Sequence, residues 1–233
     1  MIHISGQAAW DETERPEGVL PVKQRRGELT RNRLLAAGKR LVARRDFDSV
    51  PVAEIAEAAR CSVGAFYQRF RDKDAFFGAL VAQYVADARA TTVTLFAAHD
   101  DERLIGALVK ATAGRFRANS GLIRAAIRKR LEQADVWDPI RRHGYFVADC
   151  FIAWRAARRG RPLTSGEVTA TRFAFQVLYG TLNNAIVIQP GPLDLEDAEF
   201  VVQLERAFRL VLLADGAPPA LEAARREPHS DAG

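Results

Sequence analysis

The spacing of its apolar residues limits what this chain can fold into more than any other feature. From about residue 30 to about residue 214 they recur at intervals of three and four, and the β-branched alternation of strands is scarce. Leu34, Leu35, Gly38, Leu41 and Val42 form one face of a first helix ending near Arg45, and Phe47, in the loop Asp46-Phe47-Asp48-Ser49, is placed to plug a core. Pro51 suits the first turn of a second helix, Val52 to about Ala59, where a missing N–H costs nothing. Ser62 is an N-cap candidate for a short third helix, Val63 to Phe70, and Asp72 for a fourth that carries Phe76, Phe77, Leu80, Val81 and Tyr84 to about Leu95. Further helices are expected over 104–116, 122–131 and 137–159, the last broken by Gly160-Arg161-Pro162. Another follows a cap at Thr164 or Ser165 and stops before Pro190-Gly191-Pro192, and a final one spans 194–214. The expected fold class is all-α.

With 48% hydrophobic and 27% charged residues, the middle of the chain is expected to fold around a core, and 233 residues suffice for one large domain or two small ones. No apolar run reaches the roughly 18 residues of a membrane span. Met1 to Trp10 lack the charged start and apolar stretch of a secretory leader, and Cys61 and Cys150 do not make a disulfide framework, so a cytoplasmic location is expected. Residues 1–22 are expected to be a flexible arm and 216–233 a frayed tail. Between them, 23–75 form one expected domain and 76–215 a second.

The net charge is +5, but Lys23 to Lys73 hold 13 Lys/Arg against 6 Asp/Glu, so this segment contains all of the excess. Such a basic surface suits DNA or a membrane face, and an ordinary solvated helix face explains it as well.

The stretch from Val52 to Phe70 is more specific. Ala56 is small enough to let two helices cross closely at a tight turn, while Ile55, Ala59, Cys61 and Phe66 fill the space between them. Gly64 and Ala65 keep the start of the third helix free of bulk, and a bare helix N-terminus can approach a groove and favours phosphate. Tyr67, Gln68 and Arg69 offer a phenol, an amide and a guanidinium on its exposed side, suited to phosphates and base edges.

These residues carry a family resemblance. Phe47-Asp48, Ile55-Ala56-Glu57-Ala58-Ala59, Ser62 through Phe70 and Asp72-Lys73-Asp74-Ala75, in this order and spacing, resemble the DNA-binding domain of the tetracycline-repressor-like (TetR/AcrR) family over residues 30 to about 80. The rest of the chain resembles the family in architecture only. The resemblance implies a homodimeric, ligand-responsive transcriptional regulator, most often a repressor, that binds a double-stranded DNA operator and is released by a small hydrophobic or amphipathic ligand. It implies that Ser62, Val63, Gly64 and Ala65 open the recognition helix in the major groove. Tyr67 and Lys73 would contact phosphates, with Gln68 or Arg69 near Tyr67, and Lys23, Arg25 and Arg26 would extend as an arm along the backbone or into the minor groove. Three positions depart from the family pattern. Arg60 stands where Gly is common, at a left-handed turn costing roughly 1 kcal/mol for other residues, and is itself a candidate phosphate contact. Pro51 replaces a hydroxyl residue, and Val63 replaces Lys or Arg and suits a thymine methyl. These changes bear on the operator sequence.

In the second half, Phe116, Ile123, Ile127, Trp137, Phe146, Cys150, Trp154, Phe175 and Tyr179, with Tyr145, are the candidates to line a ligand pocket, and plain core is the alternative for many of them. Phe173, Val177, Thr181 and Ala185 on one helix and Phe200, Leu204, Phe208 and Val211 on the last form apolar stripes. They suit either a dimeric four-helix bundle or packing within the chain. Arg124 and Arg128, four apart, are a solvated face or a greeting for an anionic ligand. His3, His99, His143 and His229 show no metal-ligand spacing, and there is no phosphate loop, nucleophile elbow or Cys-x-x-Cys. No metal, no cofactor and no enzyme activity is expected. A helical small-molecule-binding protein without specific DNA binding stays open as the alternative.

Overall fold

In a computed structural model the protein is described over residues 17–20, 25–43, 45–132 and 134–213. The order within this span is α1 (Arg25–Val42), α2 (Val52–Ala58), α3 (Val63–Tyr67), α4 (Lys73–Ala98), α5 (Arg103–Ala118), α6 (Ser120–Glu132), α7 (Asp138–Arg159), α8 (Ser165–Val187) and α9 (Ala198–Leu213). Two short 3-10 turns, Phe47–Ser49 and Ala134–Trp137, precede α2 and α7.

Side-chain caps account for several helix starts. The Ser62 and Asp72 side chains accept from the backbone N–H of Ala65 (3.1 Å) and Ala75 (2.7 Å), each satisfying a donor that the first turn leaves free. Thr164, not Ser165, caps α8, in a reciprocal box in which the Glu167 carboxylate accepts from the Thr164 N–H at 2.6 Å. Pro51 is the N-cap of α2 and lies one residue outside the expected first turn. The third helix ends at Tyr67, short of Phe70, because the chain leaves the helix there to meet an earlier segment. The last helix starts at Ala198, four residues late, because Asp194 and Asp197 close a turn on each other.

The α1–α3 unit closes around aromatic rings. Phe66 lies 5.3 Å from Phe70 and 5.1 Å from Phe76, and Phe47 lies 4.7 Å from Phe77, with all five rings buried. The Phe76 ring sits so close to α1 that a side chain on Gly38 would collide with it. Helix α4 starts in this unit and continues into the second half, where it packs on α5 and α7, while α9 packs on α5 and α8. The C-terminal core is built on Phe151, which contacts Trp154, Phe175 and Phe208.

The expected arm and tail mostly fall outside the described residues. Residues 17–20 are the exception and correct the arm reading locally. Val19 is buried and bridges antiparallel to Phe70, with the Leu20 N–H donating to Arg69 O (2.9 Å) and the Arg71 N–H to Gly18 O (3.1 Å). Gly18, at φ +77°, supplies the left-handed turn that brings Val19 in.

Candidate nucleic-acid interface and ligand cavity

The turn between α2 and α3 is closed by the Cys61 N–H, which donates to Ala56 O at 3.0 Å, and Arg60 takes the left-handed conformation, φ +54°. Phe66 anchors α3 inward and is fully buried. The opposite face presents Ser62, Val63, Gly64, Tyr67 and Gln68 to solvent, with Ala65 half-buried. Tyr67 is 49% exposed and Val63 41%, unusual for side chains this apolar on so short a helix and fit for a groove. A Cβ on Gly64 would meet only the Ser62 hydroxyl, at an ordinary 3.7 Å, so the helix start is bare.

Two expected contact residues are engaged inside the domain. The Arg69 guanidinium donates to Gly27 O (3.3 Å) and to the Gln68 carbonyl (3.3 Å), which fastens α3 to the start of α1. The Lys73 ammonium donates to Asp48 O (3.0 Å) and lies 4.7 Å from the Phe47 ring centroid. Both therefore brace the turn and helix behind the reading face. Arg60 stays exposed at its rim. Of the arm residues, Lys23 lies outside the described segments.

A cavity of about 810 Å³ opens in the second half. Tyr84 of α4 and Thr112, Arg115 and Phe116 of α5 form one wall, Trp137 with Ile140, Arg141, His143, Gly144, Tyr145, Ala148 and Asp149 of α7 another, and Arg172, Phe175, Gln176, Tyr179 and Asn183 of α8 a third. The Tyr179 ring lies 3.4 Å from where a Cβ on Gly144 would stand, so that glycine lets α7 and α8 close together here. Aromatic and aliphatic side chains line the cavity together with three arginines (Arg115, Arg141 and Arg172), Asp149 and several uncharged polar groups, a mixture that suits a small amphipathic molecule. Burial pushes the Tyr84 phenol up to about 12, with Arg115 opposing the shift, and raises Tyr179 further. His143 is buried with neither ring nitrogen hydrogen-bonded, and burial lowers its pKa to about 4.

Phe116, Trp137, Phe175 and Tyr179 line this cavity, as does Tyr145; Ile123, Ile127, Phe146, Cys150 and Trp154 do not. Ile123 is sealed in the core and Ile127 packs against it. Phe146 turns toward α4, where the Arg89 guanidinium lies 4.0 Å from its ring centroid. Cys150 is half-buried, and Trp154 stacks on Phe151 at 5.1 Å farther along α7. His143, for which the sequence suggests a core or pocket position, is on the wall, and Tyr84, Arg115 and Asn183 are polar wall residues that sequence reasoning missed, since an Arg among many on a basic helix carries no distinguishing pattern.

The stripe on α9 is likewise reassigned. Phe200, Leu204 and Phe208 are buried within their own chain, because α9 packs on α5 and α8, and Val211 is half-buried. On α8, Phe173 and Thr181 are exposed and Val177 and Ala185 half-buried. The apolar side chains left outside on these two helices include Phe173, Val187, Val202, Leu210 and Leu213. Arg124 and Arg128 point neither to the cavity nor freely to solvent: Arg124 donates to Ile186 O (3.3 Å) and Arg128 pairs with Asp46 and Asp48. Among the described residues no helix is long and apolar enough to cross a membrane, and no group of three or more His, Cys, Asp or Glu is placed to hold a metal.

Comparison with known proteins agrees with this geometry. A tetR-family transcriptional regulator from Streptomyces coelicolor superposes with a TM-score of 0.64 at 18% identity, covering 91% of this chain and 93% of that one. GusR from Salmonella enterica gives 0.56 at 20% identity over 79% and 95% of the two chains. RolR in complex with the ligand resorcinol gives 0.52 at 19% identity over 83% and 95%. No curated relative matches in sequence. These likenesses are of fold. Residues 34–80, which hold the capped α3, its bare N-terminus and the aromatic core behind it, match the family model described as bacterial regulatory proteins, tetR family, so this part of the chain is similar to that family's DNA-binding unit.

Proposed function

We propose that the protein is a dimeric, ligand-responsive repressor of the cytoplasm. It binds a near-palindromic operator and is released when a small hydrophobic or amphipathic effector fills the cavity between α4, α5, α7 and α8. The observation that carries this reading is one continuous helix, α4, that starts against the Phe66 and Phe70 core of the reading unit and lines the cavity with Tyr84. RolR, which shares the fold, holds resorcinol, and occupation of this cavity by a small molecule extends that behaviour to this chain. A ligand that favours one spacing of the two reading heads then competes with DNA by linkage.

Dimerisation would use the outer faces of α8 and α9, where Phe173, Val202, Leu210 and Leu213 are exposed on adjacent helices. Two copies related by a two-fold axis would set their α3 helices about one DNA turn, roughly 34 Å, apart. Ser62, Val63, Gly64, Ala65, Tyr67, Gln68 and Arg60 make the DNA contacts in this reading, and Arg69 and Lys73 hold the frame.

A mobility shift on the DNA upstream of the protein's own gene, with competitor DNA, tests this. A discrete shift that resists competitor and is lost in Tyr67→Ala supports the reading. Only competitor-sensitive smearing, there and in a selection from random duplexes, overturns it.

A further inference from the structure

We propose that the cavity is selective for an amphipathic acid: a ligand with one anionic carboxylate head set against Arg115 and an apolar body lying along Phe116 and Phe175. The proposal rests on the cavity being the effector site.

Two independent observations point to it. Arg115 lines the cavity and has no carboxylate partner among the described residues; its guanidinium donates to the Tyr84 hydroxyl and, at 3.5 Å, to the Ala88 carbonyl, which leaves donors unused. A guanidinium left half-buried beside two phenols is under-satisfied, because it has five donors and gains most from a planar anionic acceptor. The second observation is His143, 8% exposed and part of the cavity wall, whose two buried ring nitrogens have no hydrogen-bond partner. A buried polar group with nothing to bond costs free energy, so a ligand oxygen that supplies a partner gains it back.

The charge around the head site is one-sided. The charged groups acting on His143 are Arg115 and Arg89, both cations. The acid on the cavity lining, Asp149, is exposed and paired with Arg172 at 3.5 Å. An uncharged ligand would leave Arg115 uncompensated, and a cationic one would meet repulsion. A carboxylate satisfies Arg115 and reaches His143, while its body replaces water against the aromatic wall.

The test is isothermal titration of the full chain, without DNA, with naphthoate and octanoate and with their neutral amides. Each acid is expected to bind about 10- to 100-fold tighter than its amide, the range for a charge-assisted hydrogen bond. In Arg115→Gln that ratio falls toward one, and in Arg115→Lys, which keeps the charge, most of it is retained. Ala148→Trp, which fills the cavity, weakens every ligand. If the amides bind as tightly as the acids, or the ratio survives Arg115→Gln, the acid proposal falls while the effector site stands. If none of the four binds, or Ala148→Trp has no effect, the cavity reading falls and takes the proposal with it. Should Arg115→Gln fail to fold, judged by circular dichroism, the wild-type ratio and the Lys variant decide.

Discussion

The Arg128 guanidinium of α6 makes a two-pronged pair with the carboxylate of Asp46, which also caps the turn before α2. Arg128 reaches Asp48 as well, and the neighbouring Lys129 ammonium pairs with Asp74 at 2.7 Å. At its start α6 is fastened by the Gly121 N–H, which donates to Ala43 O at 3.1 Å. At its middle it holds α8, a cavity wall, through Arg124. Helix α6 is thus a second physical link between cavity and reading unit beside α4.

Arg128→Gln should leave the melting temperature nearly unchanged, since partly exposed pairs contribute at most about 1 kcal/mol. It should nevertheless blunt the effect of ligand on operator affinity, measured by titrating DNA with and without a bound acid. The Arg128 hydrogen bond, foremost, holds the Asp46 carboxyl below its ordinary range. That stabilisation is present above the ordinary carboxylate value near pH 4 and is lost as the pH falls through the depressed one. Wild type should lose the link in acid, and Arg128→Gln should show no such loss.

Gly121→Ala should be damaging out of proportion to its size. A Cβ there collides with the carbonyl oxygens of Val42 and Arg45, backbone atoms that cannot swing aside. A cost of about 1–3 kcal/mol is expected, read as a lower melting temperature. An unchanged melting curve would show that α6 does not pack against the end of α1.

Phe66→Ala and Tyr67→Ala, adjacent in sequence, should separate stability from recognition. Phe66 is fully buried, so its removal should cost about 3–5 kcal/mol. Tyr67 is exposed, so its removal should change stability by no more than about 0.5 kcal/mol while weakening operator binding by about 1–3 kcal/mol. Thermal melts and fluorescence anisotropy on the same variants check both.

Arg60→Gly should raise stability by about 1 kcal/mol, because Arg60 stands at φ +54° without need of its side chain for packing. If Arg60 touches a phosphate in the complex, the slope of log affinity against log salt should fall by about one unit. Arg60→Ala, with the same backbone strain, should change the slope without the gain in stability.

His143 should make the protein's stability sensitive to acid. Burial lowers its pKa to about 4 from an ordinary 6.5, so the unfolded chain binds a proton that the folded chain refuses between these values. Stability should therefore fall as the pH drops from about 6.5 to about 4, by something on the order of 3 kcal/mol. In His143→Phe the dependence over that window should flatten, as chemical denaturation at stepped pH would show.

The sequence by itself determined what depends on neighbours along the chain. Helical period, the caps at Ser62 and Asp72, the aromatic plug at Phe47 and the exposed face of α3 are all local: each follows from residues within a turn or two, and each is seen in the structure. Helix ends were less legible, as at Phe70, where a bridge to Val19 far upstream overrides the local period. Rotation of each helix about its own axis was decided only by tertiary packing. On α7 the apolar residues run nearly all round. Contact with α4 and α8 turns His143 and Ala148 to the cavity, and sends Phe146 to Arg89 and Trp154 to Phe151. On α9 one stripe suits a partner chain or its own, and packing on α5 and α8 claims Phe200, Leu204 and Phe208 for the protomer. A stripe states that a face will be buried, and only the assembled core states against what.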